Sequence, residues 1–357
     1  MEFIRAKKIK KSIGRGFISL LLSAVLAFAA FSLSVSAEGA KERSFKYDGV
    51  KVYVGGFPFG VKFSTDGLLV VGTKNIISDG KEISPAEEAG IRAKDIITHI
   101  NGSPAGTVSE LCQQIEDCGG NAVDLTVIRD GKSITIKLTP KKEDGSRAYR
   151  AGLDLKDSMA GIGTVTYVKA EGGEYGSLGH GICDSATGSL MPLKKGSAID
   201  VQIGGVIKGK SGKPGEIKGY FLSKRLGTVL SNTSCGVFGI FTDYDTNAEA
   251  VSVASRDEIT EGKATIRCTL GDDGIKEYEI EISKIDKSST DNKSFLITVT
   301  DKALKDRTGG IIQGMSGSPI LQNGKLIGAV THVLVSDPSK GYGIFIENML
   351  DLADAAG

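Results

Sequence analysis

The chain has 357 residues, 40% of them apolar and 24% charged, with 48 glycines and no tryptophan. That is the composition of a globular protein with many short strands and turns, and its length holds two ordinary domains. Basic and acidic residues nearly balance, 44 against 43, and no basic stripe marks a nucleic-acid face.

The first segment is basic (Arg5, Lys7, Lys8, Lys10, Lys11 and Arg15 against Glu2) and runs into an apolar stretch from Phe17 to about Leu33. It closes on Val35-Ser36-Ala37. A basic end, an apolar run and small residues at the close describe a signal peptide over residues 1–37. The run is also as long as the shortest membrane-spanning helix, so an uncleaved anchor fits equally. Either way residues 38–357 are expected outside the cytoplasm.

Residues 38–56 read as a linker and a first strand. Residues 57–140 read as a small α+β unit. Ser84 to Ile91 is a short helix ending at Gly90. Lys94 to Gly102 is a strand running into a turn. Thr107-Val108-Ser109-Glu110 is a capping box that opens a helix bearing Leu111, Ile115 and Cys118 inward. Asp130-Gly131 joins Val123–Arg129 to Ser133–Leu138 as a hairpin. The stretch resembles a PDZ domain, most specifically in SPAEEAGIRAKDIITHINGSPA. Such a domain binds a peptide as an added strand. Phe57, Phe59, Gly60 and Val61 fall where the peptide-binding loop is expected, with strand addition beside Val61 to Phe63.

Residues 141–158, charged and containing Glu143-Asp144-Gly145-Ser146, read as a linker. Short strands follow at 163–168, 201–207, 226–230, 236–241, 263–270, 275–285, 295–300, 325–334 and 342–346, the pattern of an all-β barrel or sandwich.

Gly314-Met315-Ser316-Gly317-Ser318-Pro319-Ile320 is the strongest chemical signal. A nucleophilic serine needs an exposed hydroxyl on a tight turn and backbone N–H groups aimed at the developing oxyanion. Glycine at 314 and 317 permits such a turn, and the N–H groups of Gly314 and Ser316 are the expected hole. The nucleophile needs a base, and there are three histidines. His99 lies in the PDZ-like unit and His332 on a strand, both read as structural. His180 is flanked by glycines in a turn, and the order His180 then Ser316 fits a two-barrel peptidase with one residue from each barrel. For the acid that fixes the imidazole tautomer, Asp184, Asp243, Asp245 and Asp301 stand as candidates. Asp301 ends an apolar strand. The five cysteines (112, 118, 183, 235 and 268) are odd in number, so they cannot all pair within the chain. No Cys/His ligand spacing or H-E-x-x-H motif calls for a metal or cofactor.

The segments AGIGTVTYVKAEGGEYGSLGHGICD, LGTVLSNTSCGVFG and TGGIIQGMSGSPILQNGKLIGAVTHVLVSDPSKGYGIFIENML, behind a PDZ-like unit, resemble the stage IV sporulation protein B family of PDZ-containing serine peptidases. The resemblance covers about residues 45–350. It implies a mainly β, chymotrypsin-like two-barrel peptidase over residues 159–357, preceded by the PDZ domain, with His180, Asp301 and Ser316 as its catalytic set. It also marks Asn232 and Thr331 as functionally sensitive. The implied role is signalling in the space between forespore and mother cell. The protein would process itself near its N-terminus and cut the extracytoplasmic segment of a membrane regulatory protein, freeing an intramembrane protease and a late mother-cell sigma factor. Two other functions compete: a silent PDZ scaffold, which has no use for the His/Ser set, and a general envelope peptidase, which usually carries its PDZ after the protease domain.

Overall fold

Buried and exposed positions alternate along stretches such as Gly262–Thr269 and Ile275–Ser283, the signature of strands with one face on a core. The computed structural model describes residues 45–244 and 248–356. The expected signal or anchor segment and Asp245 lie outside them. No helix among the described residues is long and apolar enough to cross a membrane. Phe45 to Asp48 form a turn closed by the Asp48 N–H on the Phe45 carbonyl (3.0 Å), in a unit separate from the one that starts at Gly49.

In the second unit, β1 (Lys51–Val54) leads into β2 (Pro58–Thr73), a 16-residue strand. There follow the hairpin β3 (Ile76–Ser78) and β4 (Lys81–Ile83), α1 (Pro85–Glu88), β5 (Ile96–Ile100), β6 (Ser103–Pro104), α2 (Val108–Asp117), and the pairs β7 (Val123–Arg129) with β8 (Lys132–Leu138) and β9 (Lys141–Lys142) with β10 (Tyr149–Arg150). The capping box forms as expected: Thr107 Oγ1 accepts from Glu110 N at 3.2 Å, and Glu110 Oε2 accepts from Thr107 N at 2.7 Å. Asp130 and Gly131 take the positive φ values, 51° and 73°, of a tight hairpin turn. Leu68, Val70, Ile97, Leu111, Ile115, Leu125, Val127 and Leu138 make this unit's core. Truncating the fully buried Leu111 would cost about 2–5 kcal/mol.

The chain then returns in β11 (Leu153–Lys169), β12 (Glu174–Ser177), β13 (Leu193–Ile207), β14 (Glu216–Thr233), β15 (Gly236–Phe241) and the short β16 (Val251–Ser252). The pairings β2–β11–β12–β15–β14–β13–β2 close a circuit, a first barrel. Its core holds Phe59, Val61, Phe63, Val165, Tyr175, Val237 and Phe241. The second barrel is closed in the order β17 (Gly262–Thr269), β18 (Ile275–Ser283), β19 (Phe295–Val299), β22 (Lys340–Phe345), β21 (Lys325–Val333) and β20 (Pro319–Gln322). Helix α3 (Lys302–Thr308) follows β19, and α4 (Ile346–Ala356) ends the chain. The fold is mainly β, two closed barrels with a PDZ unit.

Two expected boundaries move. The stretch 141–158 is not a linker: it holds β9, β10 and the first six residues of β11. The PDZ unit does not simply precede the peptidase either. The first half of β2 belongs to the first barrel, the second half to the PDZ sheet, and β11 runs back alongside it from one to the other (Leu153↔Thr73 to Thr164↔Pro58). The PDZ unit is therefore spliced into the first barrel between β2 and β11.

Candidate active site

Ser316 lies on the turn between α3 and β20. Helix α3 stops because Gly309 takes φ 80° and caps it, with its N–H on Lys305 O (2.9 Å). The turn needs two further glycines, Gly314 at φ 96° and Gly317 at φ 91°. At Gly317 a Cβ would stand 2.1 Å from Thr164 O and 2.4 Å from Leu178 N, a place only glycine fits. The carbonyls of Gln313 and Met315 are held, by Ile217 N (2.8 Å) and Ser318 N (2.9 Å). In a planar trans peptide the N–H points opposite to its carbonyl. The N–H groups of Gly314 and Ser316 are thus turned the other way, and they donate to no acceptor among the described residues.

His180 lies on the arm that leaves β12. Leu178 and Gly179 both have φ 66°, and the leucine's left-handed backbone is a strained conformation. A Cβ at Gly179 would reach 2.8 Å from the Thr331 side chain. Thr331 also accepts the Ser316 hydroxyl on its carbonyl (2.8 Å), so the two segments, 136 residues apart in sequence, meet around Thr331. His180 Nδ1 faces Gly181 O at 2.9 Å. A carbonyl only accepts, so Nδ1 carries the proton and Nε2 keeps its lone pair, the tautomer a base requires. Burial lowers the imidazole's pKa, against the opposing pull of that carbonyl, and keeps it neutral below the ordinary histidine range.

The arm after His180 is tied by long-range contacts. Asn232 Oδ1 accepts from Ile182 N (2.8 Å), and its Nδ2 donates to Ile182 O and Met191 O (2.9 Å each). Asp184 is fully buried. It accepts from Ala186 N, Thr187 N and Thr187 Oγ1 and pairs with Lys156 at 2.5 Å. Burial pushes its carboxyl up, but Lys156 and Thr187 outweigh this and hold it at about 2. Asp184 therefore braces the arm, and none of its described bonds reaches His180.

Asp301 is placed differently from the expectation. It is the N-cap of α3: its Oδ1 accepts from Leu304 N (2.8 Å) and its own N–H goes to Glu279 O (3.0 Å). Asn292, just before β19, is at the Thr331 end, where its carbonyl accepts the Thr331 hydroxyl (2.7 Å). Asp301 lies past the other end of β19, roughly 20 Å along an extended strand from Phe295. Strand direction, invisible in the spacing of residues, separates it from His180. Asp243 pairs with Lys224 (2.7 Å) among exposed side chains.

His332, read as structural, is at the site: its ring centroid lies 5.0 Å from that of His180. Burial first, then the charges of His180 and Lys293, lower its pKa to about 4. His99 stays in the PDZ unit, against Thr98 Oγ1.

The expected peptide-binding loop is also elsewhere. Phe59 and Val61 are buried in the first barrel, Phe59 edge-on to Tyr175 at 5.8 Å. Phe57 packs partly buried against the same core. Val61 pairs with Gly161 on one side and Ala198 on the other, so β2 has no free edge there for a peptide. Gly60 is small because a Cβ would strike the Phe221 ring at 2.3 Å. A groove with a free strand edge lies instead between α2 and the start of β11. Residues 153–157 of β11 pair only with β2, and a cavity of about 320 Å³ is lined there by Cys112, Ile115, Tyr149, Leu153 and Leu155. All five thiols are unpaired.

A family model described as SpoIVB peptidase S55 matches residues 147–350, and a PDZ domain model matches residues 59–139. A putative zinc metalloprotease of Lactococcus lactis is 36% identical over 104 residues, 29% of this chain and 23% of its own length. A probable periplasmic do/HhoA-like serine protease of Haemophilus influenzae is 40% identical over 65 residues (18% and 14%). The periplasmic serine endoprotease DegP of Salmonella typhimurium is 29% identical over 117 residues (32% and 23%). The chain thus spans less than a quarter of the length of each of these relatives. Among solved structures, it is similar to the active form of the Rv3671c protease of M. tuberculosis, with TM-score 0.35 and 13% identity over 56% of this chain and 75% of that one. It is also similar to the HtrA-type protease AlgW with a decapeptide, with TM-score 0.33 and 14% identity over 57% and 54%.

Proposed function

The chain belongs to the SpoIVB peptidase S55 family, whose model spans more than half of it, and from that premise we propose that it is a serine endopeptidase with Ser316 as nucleophile and His180 as base. The observation that carries this reading is the meeting of the Ser316 turn and the His180 arm around Thr331. In the resting arrangement Ser316 Oγ donates to Thr331 O. The reaction requires Oγ to turn from Thr331 O to His180 Nε2, a step of the kind that substrate binding completes. Ser316 Oγ attacks the scissile carbonyl carbon, Nε2 takes the hydroxyl proton, and the oxyanion forms against the N–H groups of Gly314 and Ser316. The proton then passes to the leaving amine, and water releases the acyl group by the same base. The Gly181 carbonyl fixes the tautomer, the part an acid plays in a triad.

The family supports a finer reading. The protein works outside the cytoplasm, between forespore and mother cell, processes itself near its N-terminus, and cuts the extracytoplasmic segment of a membrane regulatory protein. That cut frees an intramembrane protease and leads to a late mother-cell sigma factor. The PDZ unit takes a peptide tail as an added strand on the free edge of β11, against α2. Full-length wild-type protein should lose a short N-terminal piece on incubation while Ser316→Ala stays whole. Equal trimming of both would assign the cut to another protease and remove self-processing.

A further inference from the structure

Thr164, on β11, is fully enclosed at 3% exposure and makes three bonds that converge on the candidate site. Its Oγ1 donates to Gly314 O (2.8 Å), its N–H to Ser316 O (3.0 Å), and its carbonyl accepts from Leu178 N (3.2 Å), two residues before His180. One residue thus touches the Ser316 turn twice and the His180 arm once. Two positions on, Thr166 Oγ1 donates to Gly317 O (2.8 Å).

The hydroxyl's target matters more than the number of bonds. The peptide plane between Gly314 and Met315 lies between the two unpartnered N–H groups. Its N–H end goes to Ile312 O (3.1 Å) and its carbonyl end to Thr164 Oγ1. Gly314 has no side chain to restrict that plane, and glycine rotates where other residues do not. Without the hydroxyl the half-buried carbonyl would lose its only described partner, and a turn of the plane towards another donor would re-aim the neighbouring N–H groups. The main-chain bonds of Thr164 do not depend on its hydroxyl, which is the separable element.

We propose that Thr164 is a positioning residue: its hydroxyl fixes the Gly314–Met315 plane and so sets the oxyanion-binding N–H groups against Ser316. The inference rests on the serine peptidase reading, and the test separates the two. Full-length protein is reacted with a fluorophosphonate, in which the Ser316 Oγ–P bond forms, the P–F bond breaks, fluoride leaves and His180 takes the proton. The reaction needs the hole but little substrate binding. Thr164→Val should lower kinact about ten- to a hundredfold, less than the ~10²–10³ of losing a hole donor outright, with KI changed less than about threefold. Thr164→Ser, which keeps the hydroxyl, should stay within about threefold of wild type in both. Wild-type kinact in Thr164→Val, an equal loss in Thr164→Ser, or a change carried by KI would overturn the proposal. Thr164→Ala reads the same split if the valine variant does not fold; failure of both to fold would make the hydroxyl a structural tie and also overturn it. Labelling that persists in Ser316→Ala would instead fault the serine reading itself.

Discussion

The turn that carries Ser316 and the arm that carries His180 are both held by distant residues, but at different groups. The turn is tied at its carbonyls: two local bonds, Met315 N to Ile312 O and Ser318 N to Met315 O, join distant ones from Thr164, Thr166 and Ile217, and Gly314 and Gly317 supply the backbone freedom. The arm is held from a distance, by Asn232 on β14 and by Lys156 on β11 through Asp184. A nucleophile must present its own backbone N–H groups, so it is the peptide planes of its turn that are tied. A base has only to be oriented, and any rigid neighbour can do that.

The contrast can be broken at the turn with the largest effect. Gly317→Ala puts a Cβ into Thr164 O and Leu178 N at a positive φ and should cost about 3 kcal/mol or more. Thermal melting reads this, and a melting point within a few degrees of wild type would mean the turn is less constrained than its geometry states. On the arm, Asp184→Ala leaves Lys156 and the 186–187 N–H groups without their acceptor and should cost about 2–4 kcal/mol, at the low end because Lys156 still reaches solvent. The sign with pH follows from the depressed pKa. The stabilisation is full above the ordinary carboxylate pKa of 3.8 and is lost as pH falls through about 2. Asp184→Asn should therefore lack the part of wild-type acid destabilisation that falls in that window, measured by denaturant unfolding at successive pH.

Asn232→Ala should cost about 1–2 kcal/mol in stability. Its turnover should fall more than its melting point suggests, because the freed residues are those next to His180. The smallest effect is expected at Asp301. An asparagine caps a helix as well as an aspartate, so Asp301→Asn should be close to neutral, while Asp301→Ala should lose about 1 kcal/mol. Were Asp301 the acid behind His180, the asparagine would instead cost on the order of 10⁴ in turnover; comparing peptide hydrolysis by the two variants decides between cap and triad.

What was legible in the sequence is local. The capping box at Thr107, the Asp130-Gly131 hairpin and the glycines of the Ser316 turn are short-range features, and each takes the backbone form its residues specify. His180 stands out in the sequence because histidines are few and this one is flanked by glycines. The bracing of its arm by Lys156 and Asn232, and the adjacency of His332, depend on which strands become neighbours. Strand β2 illustrates the limit. Its sixteen residues serve the first barrel and then the PDZ sheet as one continuous strand, so Phe57 to Val61 read as a PDZ loop although Val61 is paired on both edges. Thr164 falls within the expected strand 163–168; only tertiary structure brings its hydroxyl to Gly314 O.

The central claim is that Ser316 is a nucleophile served by a neutral His180. Its most direct measurement is the mass of the full-length protein after exposure to a fluorophosphonate, followed across pH. The account predicts one adduct, on Ser316, absent in Ser316→Ala and strongly slowed in His180→Ala. Burial holds the His180 pKa down, so the rate should fall on the acid side only below the ordinary histidine value of 6.5. An adduct on another residue, or undiminished labelling without the His180 imidazole, would contradict it.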